Sequence, residues 1–256
     1  MSDPPVPRHA PRRRLDAELV ARGLAPTRAA AQGLILAGRV LLCGAACTKC
    51  GAAVREGAEI ALAGAVRPFV SRGGGKLSGA LDDFGIDPAG LAAIDVGAST
   101  GGFTDCLLRR GAARVYAVDV GERLLDARLL RDPRVVSLEK VNFRHASPDL
   151  LPEPVPLAVV DVSFISLRYI LPVLPRFLSP GADVLPLVKP QFEVGKGRVG
   201  KGGVVRDESL RREAVEGVAA FARETGYEVL GEAESRLPGP KGNREVFLHL
   251  RWGARR

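Results

Sequence analysis

A short apolar run ending in an acid, a glycine-rich turn and a helix-forming stretch succeed one another between residues 91 and 110. This unit constrains the fold more than any other part of the chain. Leu91-Ala-Ala-Ile-Asp-Val96 reads as a buried strand, Gly97-Ala-Ser-Thr-Gly-Gly102 as a tight turn with open backbone amides, and Phe103–Arg110 as a helix. In that order the three elements receive a nucleotide at the carboxyl edge of a doubly wound parallel sheet. A second acid, Asp119, ends the apolar run Val115-Tyr-Ala-Val118, where it can accept hydrogen bonds from both hydroxyls of a ribose. Asn142 follows a third strand, Val135-Val-Ser-Leu138, and falls near the base. Ser99 stands where G-x-G-x-G loops carry their central glycine. The G-x-G-x-x-G spacing of nicotinamide-binding enzymes is absent, which argues against hydride transfer.

At 256 residues the chain holds a full α/β catalytic core and a small appendage. No secretory leader and no apolar run of about 18 residues is visible, so a cytoplasmic protein without a membrane partner is expected. The net charge of +8 is unevenly placed, because residues 1–70 carry ten Lys and Arg against five Asp and Glu. A basic N-terminal quarter favours a polyanionic partner such as nucleic acid. Residues 1–11 are proline-rich and expected to be disordered.

Cys43, Cys47 and Cys50 form C-x3-C-x2-C, which looks like part of a zinc site but lacks the fourth ligand that structural zinc requires. No metal is expected. The three are read as reduced thiols in a small β hairpin.

From Arg12 the pattern is helical, with Leu15, Leu19 and Val20 on one face and a break from Gly23 to Pro26. A second helix over Thr27–Ala37 takes Thr27 as its N-cap, and Gly38 stops it. Val40-Leu-Leu42, a turn at Gly44 and Glu59-Ile-Ala-Leu62 complete an α/β module. Arg14-Leu-Asp16, Arg28, Gln32, Ile35, Gly38-Arg-Val40 and Gly44 resemble the S4 RNA-binding domain. The resemblance implies that residues 12–64 bind structured RNA and gives phosphate-contacting roles to Arg13, Arg14, Arg28, Arg39 and Lys49.

Residues 65–70 read as a linker to Ser71-Arg-Gly-Gly-Gly-Lys-Leu77, whose three glycines beside Arg72 and Lys76 suit either a phosphate cradle or a hinge. Leu157-Ala-Val-Val160 and Asp183-Val-Leu-Pro-Leu-Val188 are apolar strands that leave Asp161 and Lys189 at carboxyl ends, the edge where open α/β sheets hold ligands. The heptad 71–77, the loop 95–105, Asp161-Val-Ser-Phe-Ile-Ser166, Leu187-Val-Lys-Pro-Gln-Phe-Glu193 and Gly242-Asn-Arg-Glu-Val246 resemble, in this order, the TlyA family of ribosomal RNA 2′-O-methyltransferases. That family is also called haemolysin A. The resemblance spans roughly residues 12–252. It implies a Rossmann-like class I S-adenosylmethionine-dependent methyltransferase fold, FtsJ-like, over residues 71–253.

It also implies a Lys-Asp-Lys-Glu tetrad, falling on Lys76, Asp161, Lys189 and Glu245. A ribose 2′-hydroxyl is a poor nucleophile, and a lysine serves as its base only if its pKa falls from about 10.4 toward roughly 7–8, by burial or a second cation. Lys189 is the expected base, Lys76 its electrostatic partner, and Asp161 and Glu245 the orienting carboxylates. Asp95, Gly97, Ala98, Ser99, Thr100, Gly101, Gly102, Asp119 and Asn142 are the expected S-adenosylmethionine contacts.

Residues 194–206 hold five glycines with Lys196, Arg198, Lys201 and Arg206, a basic loop expected to close over RNA beside the site. Aromatics make up only 5% of the chain, so recognition rests on phosphates and RNA shape rather than on widespread base stacking. The expected function is methyl transfer to a ribose of ribosomal RNA, at cytidine as the resemblance implies, with ribosomal RNA or ribosomal subunits as partners. The alternatives are a non-catalytic ribosome-assembly factor and, from the family's older name alone, a membrane-damaging haemolysin.

Overall fold

The computed structural model describes residues 13–55, 57–62, 69–195, 197–200, 202–239 and 242–253. The chain divides into two compact units, Met1–Arg67 and Pro68–Arg256. The proline-rich tail, most of the expected linker, Lys196 and Lys201 lie outside the described residues.

The first unit runs β1 (Arg13–Arg14), α1 (Leu15–Ala21), α2 (Arg28–Leu36), β2 (Val40–Leu42), β3 (Ala45–Ala46), β4 (Ala53–Val54) and β5 (Ile60–Leu62). Strand β2 is the centre of a three-stranded antiparallel sheet, and β1 pairs with β4. The apolar stripes of both helices, with Leu15, Leu19, Ala31 and Ile35, close over Val40 and Val54. Thr27 caps α2 by accepting from the Ala30 amide at 3.2 Å.

The N-terminal boundary of α1 differs from the sequence expectation. Arg13 and Arg14 are extended against Val54 and Ala53, and the Leu15 and Asp16 amides donate to Ala52 and Cys50 carbonyls. Sheet hydrogen bonds therefore claim the backbone that helix propensity would have used. Cys43 occupies the β2–β3 turn with φ +51°, and Cys43, Cys47 and Cys50 are free thiols.

The second unit comprises α3 (Arg72–Phe84), β6 (Ala92–Val96), α4 (Gly102–Arg109), β7 (Arg114–Val118), α5 (Ala127–Leu130), β8 (Val135–Leu138), β9 (Val155–Val160), β10 (Leu178–Val188), α6 (Pro190–Glu193), α7 (Glu208–Glu224), β11 (Tyr227–Glu234) and β12 (Val246–Trp252). Its seven-stranded sheet has the order β11-β12-β10-β9-β6-β7-β8. Strands β6 to β10 are mutually parallel, and β12 lies antiparallel between β10 and β11. Alternation along β6 splits the core between the two faces: Ile94 and Val96 pack with the α7 residues Val215 and Val218, while Ala93 packs with Leu77, Leu81 and Leu107 of α3 and α4.

The glycine-rich heptad forms neither a cradle loop nor a hinge. Gly73, Gly74 and Gly75 lie in the first turn of helix α3 and let it press against the start of α4. A Cβ on Gly74 would lie 2.8 Å from the Gly102 carbonyl oxygen and would overlap Phe69. Packing here outweighs the helix penalty of about 1 kcal/mol per glycine. Gly74→Ala should therefore destabilise this unit by about 1–3 kcal/mol through overpacking, a fall in Tm on the order of 5 °C by differential scanning calorimetry. An unchanged Tm would mean that α3 and α4 are not in close contact.

Candidate active site

Strand order reverses between β6 and β9, so a crevice opens beyond their carboxyl ends, where Gly97 and Asp161 begin the next loops. Strand β10 runs parallel to β9 and delivers Lys189 to the same edge. Because β12 is antiparallel and Val188 pairs with Val246, the residue preceding β12, Glu245, arrives beside Lys189. Lys76 reaches the edge from α3, whose first two turns line the crevice.

The four residues of the expected tetrad come together as two ion pairs. Lys76 Nζ lies 2.5 Å from Glu245 Oε2, and Lys189 Nζ lies 2.6 Å from Asp161 Oδ1. Lys189 also donates to Ser163 Oγ at 2.9 Å. Lys76 and Lys189 are only 7% and 8% exposed and Glu245 is fully buried, so each buried charge has an opposite neighbour, as burial demands. Lys76, expected as the partner of Lys189, thus has its own carboxylate. Glu245 Oε1 accepts no hydrogen bond, and a Cβ on Gly239 would strike that carboxylate. Ser163, which sequence reasoning did not single out, lines both cavities of the site.

The larger cavity, about 530 Å³, has an apolar wall that includes Val120, Leu124, Val141, Phe143 and Ile165, with Asp119 and Asn142 among its polar groups. Its size and lining fit a nucleoside. Asp119 Oδ2 accepts the Ser99 amide at 2.8 Å and Oδ1 accepts the Gly121 amide at 2.7 Å. A carboxylate has about four lone-pair sites, so two remain for a ligand. Ser99 adopts φ +48° with its amide held by Asp119, so the missing central glycine does not prevent the turn. Gly97 has φ +86°, and a Cβ there would meet the Asp161 carbonyl oxygen at 2.8 Å. Thr100 and Gly101 continue the turn into α4, and Gly97, Ala98, Ser99, Thr100 and Gly102 line the second cavity.

Asp95 sits beneath this turn rather than in either cavity. It is fully buried, accepts from Thr104 Oγ1 at 2.7 Å through Oδ2, and has no hydrogen bond at Oδ1. Burial pushes its carboxyl up to about 7, against the pull of the Thr104 bond.

The second cavity, about 240 Å³, is lined by Arg72, Lys76, Asp161, Lys189 and Pro238, and shares Gly97, Ser99, Asp161 and Ser163 with the first. Arg72 spans part of it by donating to the Pro238 carbonyl at 2.9 Å. Two compartments with a common wall suit a donor and an acceptor held on either side of the reacting atoms. On the rim of the larger cavity, Phe164 is 91% exposed with φ +65°, its ring 5.2 Å from that of Phe192. A bulky residue in the left-handed region is a conformation that surrounding structure must impose. It lies in the sequence motif Asp161-Val-Ser-Phe-Ile-Ser166, but nothing in the sequence foretold its backbone.

The expected RNA-contacting arginines of the first unit are exposed, as is Lys49. Arg14 makes a two-pronged contact with buried Asp16 at 3.1 Å, Gln32 donates to Asp16 at 3.0 Å, and Arg28 reaches it at 3.4 Å. Those contacts hold the Asp16 carboxyl well below the usual carboxylate range, the Arg14 hydrogen bond being the largest cause. In the basic loop, Arg198 is paired with Glu213 at 2.5 Å, and Asn243 ties the loop down by accepting from the Val205 amide and donating to the Gly203 carbonyl. Among the described residues no cluster of His, Cys, Asp or Glu could hold a metal ion, and no helix is long and apolar enough to cross a membrane.

Comparison with known proteins shows the family. The model of the FtsJ-like methyltransferase family matches residues 69–252, and that of the S4 domain matches residues 13–60. A Mycobacterium tuberculosis relative, 16S/23S rRNA (cytidine-2′-O)-methyltransferase TlyA, is 51% identical over 94% of this chain and 91% of its own length. Hemolysin A of Brachyspira hyodysenteriae is 38% identical over 93% of this chain and 99% of its own. A solved structure from Streptococcus thermophilus superposes with a TM-score of 0.74 at 42% identity, covering 95% of this chain and 90% of that one. The chain belongs to the TlyA family of FtsJ-like methyltransferases, with an S4 domain at its N-terminus.

Proposed function

We propose that this protein transfers a methyl group from S-adenosylmethionine to a ribose 2′-hydroxyl of ribosomal RNA, at cytidine. The observation that carries the reading is the placement of two lysine–carboxylate pairs, both lysines buried, against a cavity that shares a wall with a nucleoside-sized cleft. The substrate follows the M. tuberculosis relative, at 51% identity. Residues 71–253 are the catalytic domain and 12–64 the RNA-binding domain in this reading.

Asp119 and Asn142 hold the nucleoside of the donor, and the 97–102 turn packs on its methionine part. Bound there, S-adenosylmethionine supplies an electrophilic methyl on a sulfonium. The acceptor ribose occupies the cavity bounded by Lys76, Asp161 and Lys189. Lys189, after releasing its ammonium proton to solvent, takes the 2′-hydroxyl proton as the oxygen forms its bond to the methyl and the carbon–sulfur bond breaks. Asp161 and Ser163 fix the Lys189 amine, and the Lys76–Glu245 pair holds the other side of the ribose. Phe164 offers its exposed face to the unstacked acceptor base. Exposed Arg13, Arg14, Arg28, Arg39 and Lys49 meet phosphates, joined by Arg72, Arg198, Lys196 and Lys201 on the catalytic unit.

Lys189→Ala should abolish single-turnover methyl transfer while cofactor affinity, measured calorimetrically, changes by less than about tenfold, or roughly 1.4 kcal/mol. Lys189→Arg should remain inactive, because guanidinium stays protonated and cannot accept the proton. An arginine variant with the wild-type rate at neutral pH would move the base to another residue.

RNA binding divides off separately. Replacing Arg13, Arg28 and Arg39 together by alanine should make the plot of log affinity against log salt shallower by roughly 0.7–0.9 for each phosphate no longer neutralised. Cofactor binding should not change. An unaltered slope would remove these three from the RNA interface.

A further inference from the structure

Glu193 is a half-buried acid with no place in the tetrad, and its contacts fall on the loop that carries Asp161. We infer that Glu193 is a positioning residue: it clasps the Asp161 loop to the Lys189 turn and so sets the geometry of the Asp161–Lys189 pair. The inference rests on the proposed methyl transfer only for its consequence in rate.

The two catalytic segments leave neighbouring parallel strands, β9 and β10, and each has its own backbone route away from the sheet. Past Val188, the Phe192 amide donates to the Lys189 carbonyl at 2.9 Å and the Val194 amide to the Pro190 carbonyl at 3.0 Å. Lys189 to Val194 is therefore one tight turn, with Glu193 at a fixed offset from Lys189. Its carboxylate accepts Ser166 Oγ at 2.6 Å on Oε2 and the Leu167 amide at 2.9 Å on Oε1. One side chain thus closes a ring that runs through Lys189, Asp161 and Ser166. Within that ring, Phe192 packs on Phe164 at 5.2 Å and Lys189 donates to Ser163 at 2.9 Å.

The chemistry of the contact explains the choice of residue. Burial pushes the Glu193 carboxyl above its ordinary value, and the bonds from Ser166 and Leu167 pull it back. Such desolvation is tolerated where both oxygens are satisfied, and here both are. Arg168, whose charge also favours the carboxylate, donates instead to the Gly217 carbonyl and stacks on Phe221, so Glu193 is not held as a salt bridge. A carboxylate that accepts two donors on a neighbouring loop is a mechanical link. A misplacement of reacting groups by about 1 Å costs on the order of a hundredfold in rate, so the link bears directly on turnover.

The test uses the full-length protein with Glu193→Ala and Glu193→Gln. At saturating S-adenosylmethionine and ribosomal RNA, single-turnover methyl transfer by Glu193→Ala should fall roughly tenfold to a hundredfold, with both dissociation constants and Tm near wild type. Glu193→Gln should recover most of the rate, since its amide oxygen still accepts from Leu167 and its amide nitrogen can donate to Ser166 Oγ. Crystal structures of wild type and Glu193→Ala should show the Lys189 Nζ to Asp161 Oδ1 distance, 2.6 Å in the wild type, lengthened in the variant. A wild-type rate in Glu193→Ala, or a fall in rate that tracks weakened cofactor affinity or lowered Tm in both variants, would overturn the inference. So would an unchanged ion pair in the variant crystal, a result that needs no RNA. If instead the wild type itself leaves ribosomal RNA unmethylated, the substrate reading fails and the crystal comparison still decides the clasp.

Discussion

Two ammonium groups and two carboxylates are wholly or largely taken out of water at one edge of a parallel sheet, and pairing them is the constraint on which the site depends. An unpaired buried charge is costly, and removing one partner of such a pair costs about 3–5 kcal/mol. Lys76 with Glu245 and Lys189 with Asp161 satisfy this requirement two by two. The sheet supplies the means: parallel β9 and β10 deliver Asp161 and Lys189, and only an antiparallel β12 brings Glu245 to the same edge. The close approach of α3 to α4, made possible by Gly74 and Gly102, then places Lys76 opposite Glu245.

The proposed donor cleft opens at the same edge. Gly97 must lack a side chain because the Asp161 backbone lies against it, so the 97–102 turn and the Asp161 loop are packed on each other. Asp119 joins them to β7 by holding the Ser99 amide. The three loops are held against one another, so the proposed donor and acceptor sites share lining residues.

The strand, turn and helix at 91–110 were legible because strand period, glycine placement and helix onset change within twenty residues. Asp161 and Lys189 were legible as polar residues ending apolar strands, and Glu245 through its place in an ordered set of motifs. The helix at 72–84 was not, since three successive glycines argue against a helix until the packing partner is known. Nor was the division of the tetrad into two pairs, which depends on which lysine meets which carboxylate across 169 residues of chain. Ser163, Phe164 and Glu193 lay inside motifs already marked, yet their parts depend on backbone direction and on contacts between loops. In the S4 unit, the arginines were readable as charge. Their attachment to buried Asp16, which holds Arg14, Arg28 and Gln32 together, was not.

Incubation of the full-length protein with methyl-labelled S-adenosylmethionine and unmodified ribosomal RNA, followed by nuclease digestion and mass spectrometry of the nucleosides, tests the central claim most directly. The account predicts label on 2′-O-methylcytidine. Label on a base atom, or none on RNA while the protein is folded and binds the cofactor, would contradict it.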